Sequence, residues 1–209
     1  MEGKKKIGRP AGTTKDSEGL FLSDKQLVSF FGEIKKSEDE KYGLIFNLIL
    51  YFGLRVSELC KMKTSDVFLG KTPGDLTITV EALKGGRKRT YERIDPRLAR
   101  ELVKWIRGRT DKNPYLFPSR VIEDGQAVNA QAIKNRFKFY AQKIGLPKKF
   151  SVHNLRATCA VRMVQKKFGI LEVARWLRLR SVQNAAIYFD RSEMKETEVK
   201  IRDAFGSYL

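Results

Sequence analysis

The stretch from residue 151 to residue 188 constrains the fold more than any other part of the chain. It begins with a helical run that Gly169 ends, continues with a short helix up to Leu177, and closes with a segment that carries Tyr188. Ser151 has the side chain of an N-cap, which predicts that the first helix starts directly after it. The stretch therefore predicts several consecutive helices around which the chain is organised.

Three side chains of this stretch indicate phosphate chemistry. His153 is the only histidine of the chain and lies three residues before Arg156, so a helix presents both on one face. Backbone N–H groups at a helix start suit an anion, and Tyr188 could serve as a nucleophile. A chance His-x-x-Arg spacing and a half-buried helical Tyr188 are the alternative interpretation of the same residues.

Two further motifs come earlier in the chain. Residues 53–59 read Gly-Leu-Arg-Val-Ser-Glu-Leu and place Arg55 three residues before Glu58. Residues 83–89 read Leu-Lys-Gly-Gly-Arg-Lys-Arg and form a basic turn between two strand-like runs. A surface ion pair of Arg55 with Glu58 or Glu38 would explain the first motif. An edge hairpin kept soluble by its charge would explain the second.

Capping residues and apolar periodicity predict the other helices and a small sheet. Helices are predicted to open at a Ser23–Gln26 capping box and at Asp95-Pro96. Further helical patterns cover residues 38–52, 55–61 and 129–144. The β-rich runs at residues 67–68, 76–80 and 89–94 predict an antiparallel sheet. The tip of its hairpin is predicted to carry Lys84, Arg87, Lys88 and Arg89.

In their order, these motifs resemble the signature of the tyrosine recombinases, also called phage-type integrases. The resemblance covers roughly Phe21 to the C-terminus. It implies an α+β fold that is mostly helical, with a small three-stranded antiparallel sheet. The catalytic residues that it implies are Arg55, Lys84, His153, Arg156 and Tyr188.

The resemblance implies a site-specific DNA recombinase or integrase. Tyr188 would attack a phosphodiester to give a 3′-phosphotyrosyl link and a free 5′-hydroxyl, and Lys84 would protonate the leaving oxygen. Arg55 and Arg156 would bind the non-bridging oxygens. His153 would act as general base or as a hydrogen-bond partner of the phosphate. The phosphotyrosyl bond conserves energy for rejoining, so no cofactor is expected, and no metal is expected because arginines supply the positive charge.

One position departs from the family pattern. The family usually has an additional His or Trp nine residues before the tyrosine, where this chain has Leu179, which cannot donate a hydrogen bond. Trp176 or Arg180 is predicted to replace that donor, since both lie within one turn of it. A group from a partner protomer and a slow enzyme are the alternatives. Glu58 is expected to orient the region of Arg55 rather than to react.

The domain organisation departs from the family as well. Residues 1–20 are predicted to be a basic flexible arm, and residues 21–209 the catalytic domain. The family usually carries a core-binding domain before the catalytic one, and that domain is expected to be absent here. The C-terminal segment from Glu193 to Leu209 is predicted to dock on a neighbouring protomer, giving a dimer or tetramer on DNA.

The charge of the chain favours double-stranded DNA as its partner. Lys and Arg number 42 against 24 Asp and Glu, a net charge of +18, which suits phosphate contacts and counterion release. A solvated basic tail and a solvated helix face are the alternatives. The sequence has no long apolar run that would suggest a membrane-spanning segment. The predicted DNA contacts are Lys4, Lys5, Lys6, Arg9, Arg87, Lys88, Arg89, Lys134 and Lys138.

The cysteines indicate a reducing compartment. Cys60 and Cys159 lie in apolar helical contexts and are predicted to be buried thiols rather than a disulfide. This favours a cytoplasmic protein that works at DNA. One histidine and two distant cysteines do not predict a zinc site of ordinary spacing.

Two other functions stay open at the level of the sequence. A degenerate recombinase would only bind DNA, as a regulator or an architectural protein. An enzyme like a type IB topoisomerase would relax DNA without strand exchange. Cleavage of a suicide substrate, a duplex whose cleavage cannot be reversed, distinguishes the first from a recombinase. A two-site recombination assay distinguishes the second.

Overall fold

The computed structural model describes residues 21–72, 75–81, 88–119 and 125–189, and it shows a mostly helical fold with a small sheet. The helices are α1 (Asp24–Lys36), α2 (Glu40–Phe52), α3 (Val56–Leu59), α4 (Pro96–Arg107), α5 (Ala130–Lys143), α6 (His153–Gln165), α7 (Ile170–Trp176) and α8 (residues 183–189). The strands are β1 (Val67–Phe68), β2 (Thr77–Glu81) and β3 (Lys88–Tyr91). The predicted fold class is confirmed.

Local signals set most helix starts as predicted. At α1, the Ser23 hydroxyl accepts from the backbone N–H of Gln26, and the Gln26 side chain accepts from the backbone N–H of Ser23. Asp95 caps α4 directly before Pro96, and Asn129 caps α5. These caps satisfy backbone N–H groups that would otherwise lack partners.

The start of α6 differs from the prediction. The helix begins at His153 behind Val152, and the Ser151 side chain does not cap it. Instead, the backbone N–H of Ser151 donates to Oδ1 of Asn154 at 2.6 Å. The prediction for Ser151 was therefore wrong, but His153 and Arg156 still share the first turn of α6.

Two apolar clusters form the core. In the larger one, Phe30 of α1 lies with its ring centroid 5.4 Å from that of Phe46 on α2 and 5.1 Å from that of Phe137 on α5. The smaller cluster joins α6, α7 and α8 and includes Val173, Leu177 and Tyr188. Since α2 also packs against α6, the C-terminal end of α2 lies where the two clusters meet.

Gly53 makes this junction tight. It ends α2 with a φ of +57°, in the left-handed region that favours glycine. A Cβ atom at this position would lie only 2.2 Å from Cδ2 of Leu177. The C-terminal ends of α2 and α7 therefore approach each other closely, beside the start of α3.

The sheet has the strand order β1-β2-β3, and both pairs are antiparallel. Ile78 and Val80 on β2 and Tyr91 on β3 are buried, so one face packs on the core. Lys88 and Arg89 lie within β3 opposite Glu81 and Val80, so their predicted place at the hairpin tip was wrong. The other residues assigned to that tip, Lys84 and Arg87, lie outside the described residues.

Both cysteines are free thiols, which confirms that they do not pair with each other. Cys159 is buried and Cys60 is half-buried. Loss of water raises the pKa of each thiol to about 11, so both are protonated at neutral pH.

Several predicted features fall outside the described residues: the basic arm with Lys4, Lys5, Lys6 and Arg9, and the C-terminal segment of residues 193–209. Over the residues that are described, the structure contains no helix with the length and apolar composition needed to span a bilayer.

Candidate active site

A buried carboxylate gathers three arginines at the junction of α2, α3 and α7. Oε1 of Glu58 accepts from Nη1 of Arg55 at 2.8 Å, and Oε2 accepts from Nη2 of Arg178 at 2.8 Å. Nη1 of Arg156 lies 3.7 Å from Oε2. We name these four residues the arginine cluster. Its carboxylate has no exposed surface, whereas 39% of the Arg55 side chain is exposed.

Glu58 also determines how α3 begins. Its Oε2 accepts the backbone N–H of Arg55 at 2.8 Å, so the same carboxylate holds both the backbone and the guanidinium of Arg55. The ion pair that was the alternative interpretation of Arg55 is thus present. It is not a surface pair, because Glu58 is fully buried.

Arg156 ties two helix ends together from the first turn of α6. Its guanidinium donates to the carbonyl of Gly53 and, at 2.6 Å, to the carbonyl of Leu177. Burial and, after it, the positive charge of Arg55 lower the pKa of Arg156 from its ordinary value to about 10. It therefore stays protonated at neutral pH and keeps a positive charge inside the protein.

His153 lies one helical turn before Arg156, and part of its side chain is exposed. Protein atoms that displace water around the ring, followed by the charges of Arg156 and Arg55, lower the pKa of His153 below 6.5. The imidazole is therefore neutral at pH 7 and retains a nitrogen that can accept a proton.

Tyr188 packs in the smaller apolar cluster with 9% of its surface exposed. Burial raises the pKa of its phenol above 10, while the positive charges of Arg156 and Arg55 act in the opposite direction. Tyr188 is therefore a packed residue, as in the alternative interpretation, and at the same time lies close to both arginines. The structure thus brings Arg55, His153, Arg156 and Tyr188 together, and Lys84 lies outside the described residues.

The structure contradicts the role predicted for Trp176. Its Nε1 donates to the carbonyl of Tyr51 at 3.0 Å, and its ring contacts Tyr91 at a centroid distance of 4.9 Å. The indole is thereby held against the core, half-buried, and does not replace the missing donor. Leu179 packs half-buried against the smaller cluster. Arg180 is exposed, and its role stays a prediction.

The predicted DNA contacts that the structure describes lie on two elements. Lys88 is exposed on β3, and Lys134 and Lys138 are exposed on α5. Arg89 is half-buried, with its guanidinium 5.1 Å from the ring centroid of Tyr91 and within cation–π distance. Among the described residues, no group of His, Cys, Asp and Glu side chains has the arrangement of a metal site.

Arg178 is the residue of the site that sequence reasoning missed. It lies just after α7 with a φ of +54°, and 3% of its side chain is exposed. A signal was available, because Arg178 directly follows the apolar end of a helix, much as Arg55 follows Phe52-Gly53-Leu54.

A comparison with family models adds to this description of the fold and the site. The model of the phage integrase family matches residues 21–195. The chain therefore belongs to the phage integrase family.

The curated relatives include the tyrosine recombinase XerA of Pyrococcus furiosus, which is 32% identical over 145 residues. That match covers 69% of this chain and 48% of the relative, and a match to XerA of Pyrococcus horikoshii covers 54% of that protein. The chain thus spans about half the length of the curated relatives it matches.

Two solved structures show the same fold. A crystal structure of XerA recombinase superposes with a TM-score of 0.71 at 24% identity, covering 88% of this chain and 65% of the other. XerH recombinase bound to its difH substrate in a pre-cleavage complex superposes with a TM-score of 0.66 at 22% identity. This second match covers 81% of this chain and 49% of the other.

Proposed function

We propose that the chain is the catalytic part of a site-specific DNA recombinase that cleaves and rejoins DNA through a 3′-phosphotyrosyl intermediate. The observation that carries this proposal is the position of Tyr188 beside Arg55 and Arg156, two arginines held by one buried glutamate. The names of the curated relatives, which are tyrosine recombinases, support it.

The geometry suits nucleophilic attack on a phosphodiester. The phenol oxygen of Tyr188 forms a bond to phosphorus, and the bond from phosphorus to the 5′-oxygen breaks. Negative charge grows on the non-bridging oxygens in the transition state, where the exposed part of Arg55 and the buried charge of Arg156 stabilise it. The 3′-phosphate then stays on Tyr188 until a 5′-hydroxyl reverses the reaction.

Two proton transfers complete the step. The phenol of Tyr188 is neutral at pH 7, so its proton needs an acceptor, and neutral His153 is suited to take it. The departing 5′-oxygen needs a proton, and Lys84 is the proposed donor on the basis of the family resemblance. Arg180 remains a candidate for an additional contact to the phosphate.

Trapping of a covalent adduct tests the proposal. Bound sequences are selected from a pool of randomised duplexes, and nicked suicide substrates are built from them. We expect an adduct that survives denaturation, with the DNA attached to Tyr188 in a peptide map. DNA binding without any adduct would favour the regulator, and plasmid relaxation without exchange between two sites would favour the topoisomerase-like enzyme.

We also propose that the protein works as an oligomer on DNA in the cytoplasm. The family resemblance supports assembly through residues 193–209, and the two free thiols support a reducing compartment. Sedimentation of DNA complexes with and without residues 193–209 tests the assembly. Complexes of equal mass would contradict it.

The rate of adduct formation should depend on pH through His153. At protein concentrations below saturation, we expect a level rate from about pH 9 downward and a loss only below pH 6.5, where His153 takes a proton. His153→Gln should be slower and should lack this acidic loss. A midpoint above pH 6.5, or an unchanged acidic loss in His153→Gln, would contradict this role, provided that DNA binding is constant over the range.

Binding to DNA should depend strongly on salt, because the chain carries a net charge of +18. Deletion of residues 1–12 removes Lys4, Lys5, Lys6 and Arg9, and should lower the salt slope by about one unit for each phosphate that these side chains neutralise. Sequence preference should change little. The matched control is an arm of equal length without charge, which should behave like the deletion. An affinity that stays constant as salt rises would contradict the prediction.

A further inference from the structure

Arg178 occupies a position that is unfavourable for an arginine. Its backbone has a φ of +54°, a conformation that a residue with a side chain rarely adopts. Its guanidinium is almost fully buried, and a buried charge is costly unless partners surround it. An arginine with both a left-handed backbone and a buried charge is a candidate for a specific function.

The contacts of Arg178 connect the elements that hold the site. Its guanidinium donates to the carbonyls of Phe52 and Gly53, both at 3.2 Å, and to that of Trp176 at 3.0 Å. It also donates to the hydroxyl of Tyr91 on β3. The carbonyl of Gly53 is the one that Arg156 also contacts, so the two arginines share an anchor.

Arg178 changes the charge balance of the arginine cluster. Glu58 contacts Arg55 and lies near Arg156, so with these two arginines alone it would cancel about half of their positive charge. Arg178 binds the same carboxylate at 2.8 Å and offsets that charge. Glu58 can then hold Arg55 without weakening the positive field on a phosphate.

We propose that Arg178 is a positioning residue for cleavage, which neutralises and fixes Glu58 so that Arg55 and Arg156 keep their charge for the scissile phosphate. This inference rests on the proposed cleavage function. Arg178 lies behind the two arginines and acts through Glu58, without touching the DNA.

The test compares Arg178→Met with Arg178→Lys on two suicide substrates. One carries an ordinary scissile phosphodiester, and the other a methylphosphonate, in which a neutral methyl group replaces one charged oxygen. On the phosphodiester, Arg178→Met should form adduct roughly a hundredfold more slowly than wild type, and Arg178→Lys should lose less. On the methylphosphonate, the deficit of Arg178→Met should shrink by about tenfold, because less negative charge needs stabilisation.

Two further variants separate charge from stability. Glu58→Gln combined with Arg178→Met removes both charges, and it should cleave faster than Arg178→Met alone. Arg109→Met is the matched control, since Arg109 is also buried and also donates to backbone carbonyls, those of Asn113 and Tyr115. Arg109→Met should lower the melting temperature. Any loss in its rate of adduct formation should be the same on both substrates.

The results distinguish failure of the role of Arg178 from failure of the proposed cleavage. One outcome is that the wild-type chain forms the adduct while Arg178→Met forms it equally slowly on both substrates, or at the wild-type rate. That outcome would overturn the role of Arg178 and leave the proposed cleavage intact. Absence of any adduct from the wild-type chain would overturn the proposed cleavage and this inference with it. If Arg178→Met does not fold, Arg178→Lys serves instead, and a hundredfold deficit on both substrates would overturn the proposal.

Discussion

Tyr188→Phe should abolish the covalent adduct and leave DNA binding at the wild-type level. The phenol oxygen forms the new bond to phosphorus, and no other atom of the side chain replaces it. The ring itself packs in the smaller apolar cluster, and phenylalanine preserves that packing. The expected change in the free energy of unfolding is therefore small, below about 1 kcal/mol. Adduct formation and affinity are measured on the same suicide substrate.

Two other tyrosines serve as controls for this variant. Tyr140 is fully buried, and its hydroxyl donates to Asp39 at 2.9 Å, so Tyr140→Phe should retain the adduct. Tyr208 lies outside the described residues, and Tyr208→Phe should also retain it. An adduct that persists in Tyr188→Phe and disappears in Tyr208→Phe would move the nucleophile to Tyr208.

Glu58→Ala should lower the free energy of unfolding by about 3–5 kcal/mol, as expected when one partner of a buried ion pair is removed. The variant leaves the guanidinium groups of Arg156 and Arg178 buried without their carboxylate. It also removes the acceptor for the backbone N–H of Arg55, directly before α3. Denaturant unfolding at pH 7 measures the loss.

Matched variants identify the cause of that loss. Glu58→Gln keeps an oxygen acceptor and removes the charge, so it should lose less stability than Glu58→Ala. Glu40→Ala removes an exposed carboxylate that pairs with Lys104, and its effect should be too small to resolve. An equally small effect of Glu58→Ala would show that the buried cluster contributes little to folding.

The same carboxylate should make stability depend on pH. Burial alone would raise the pKa of Glu58, but Arg178, the backbone N–H of Arg55 and then Arg156 lower it below 4.5. Because the folded pKa is the lower one, this stability is present above about pH 4.5 and is lost as the pH falls through the folded value. Glu58→Gln should therefore show a shallower acid profile than wild type.

Features encoded within a few residues were predictable. The capping box of Ser23 and Gln26, the Asp95-Pro96 start and the helix-ending Gly53 each act locally, and the structure contains all three. The ordered motifs around Arg55 and Arg156 identified the family, because a set of spacings over a long stretch is specific.

Features that depend on distant contacts were not predictable. The indole N–H of Trp176 donates to the backbone carbonyl of Tyr51, which is 125 residues away. Nothing near Trp176 in the sequence indicates this hydrogen bond. Arg178 reaches Glu58 across 120 residues. Its place directly after the apolar end of α7 is a local sign of burial, but only the packed structure shows that its partner is Glu58.

The hydroxyl of Tyr91 connects the sheet to the helices through hydrogen bonds. It donates to the carbonyl of Trp176 at 2.8 Å and accepts from Arg178, so β3 is fastened to the turn that leads into α8. A displacement of β3 must break both hydrogen bonds or carry that turn with it. Strand β3 and the turn that precedes the Tyr188 helix are therefore not free to shift independently.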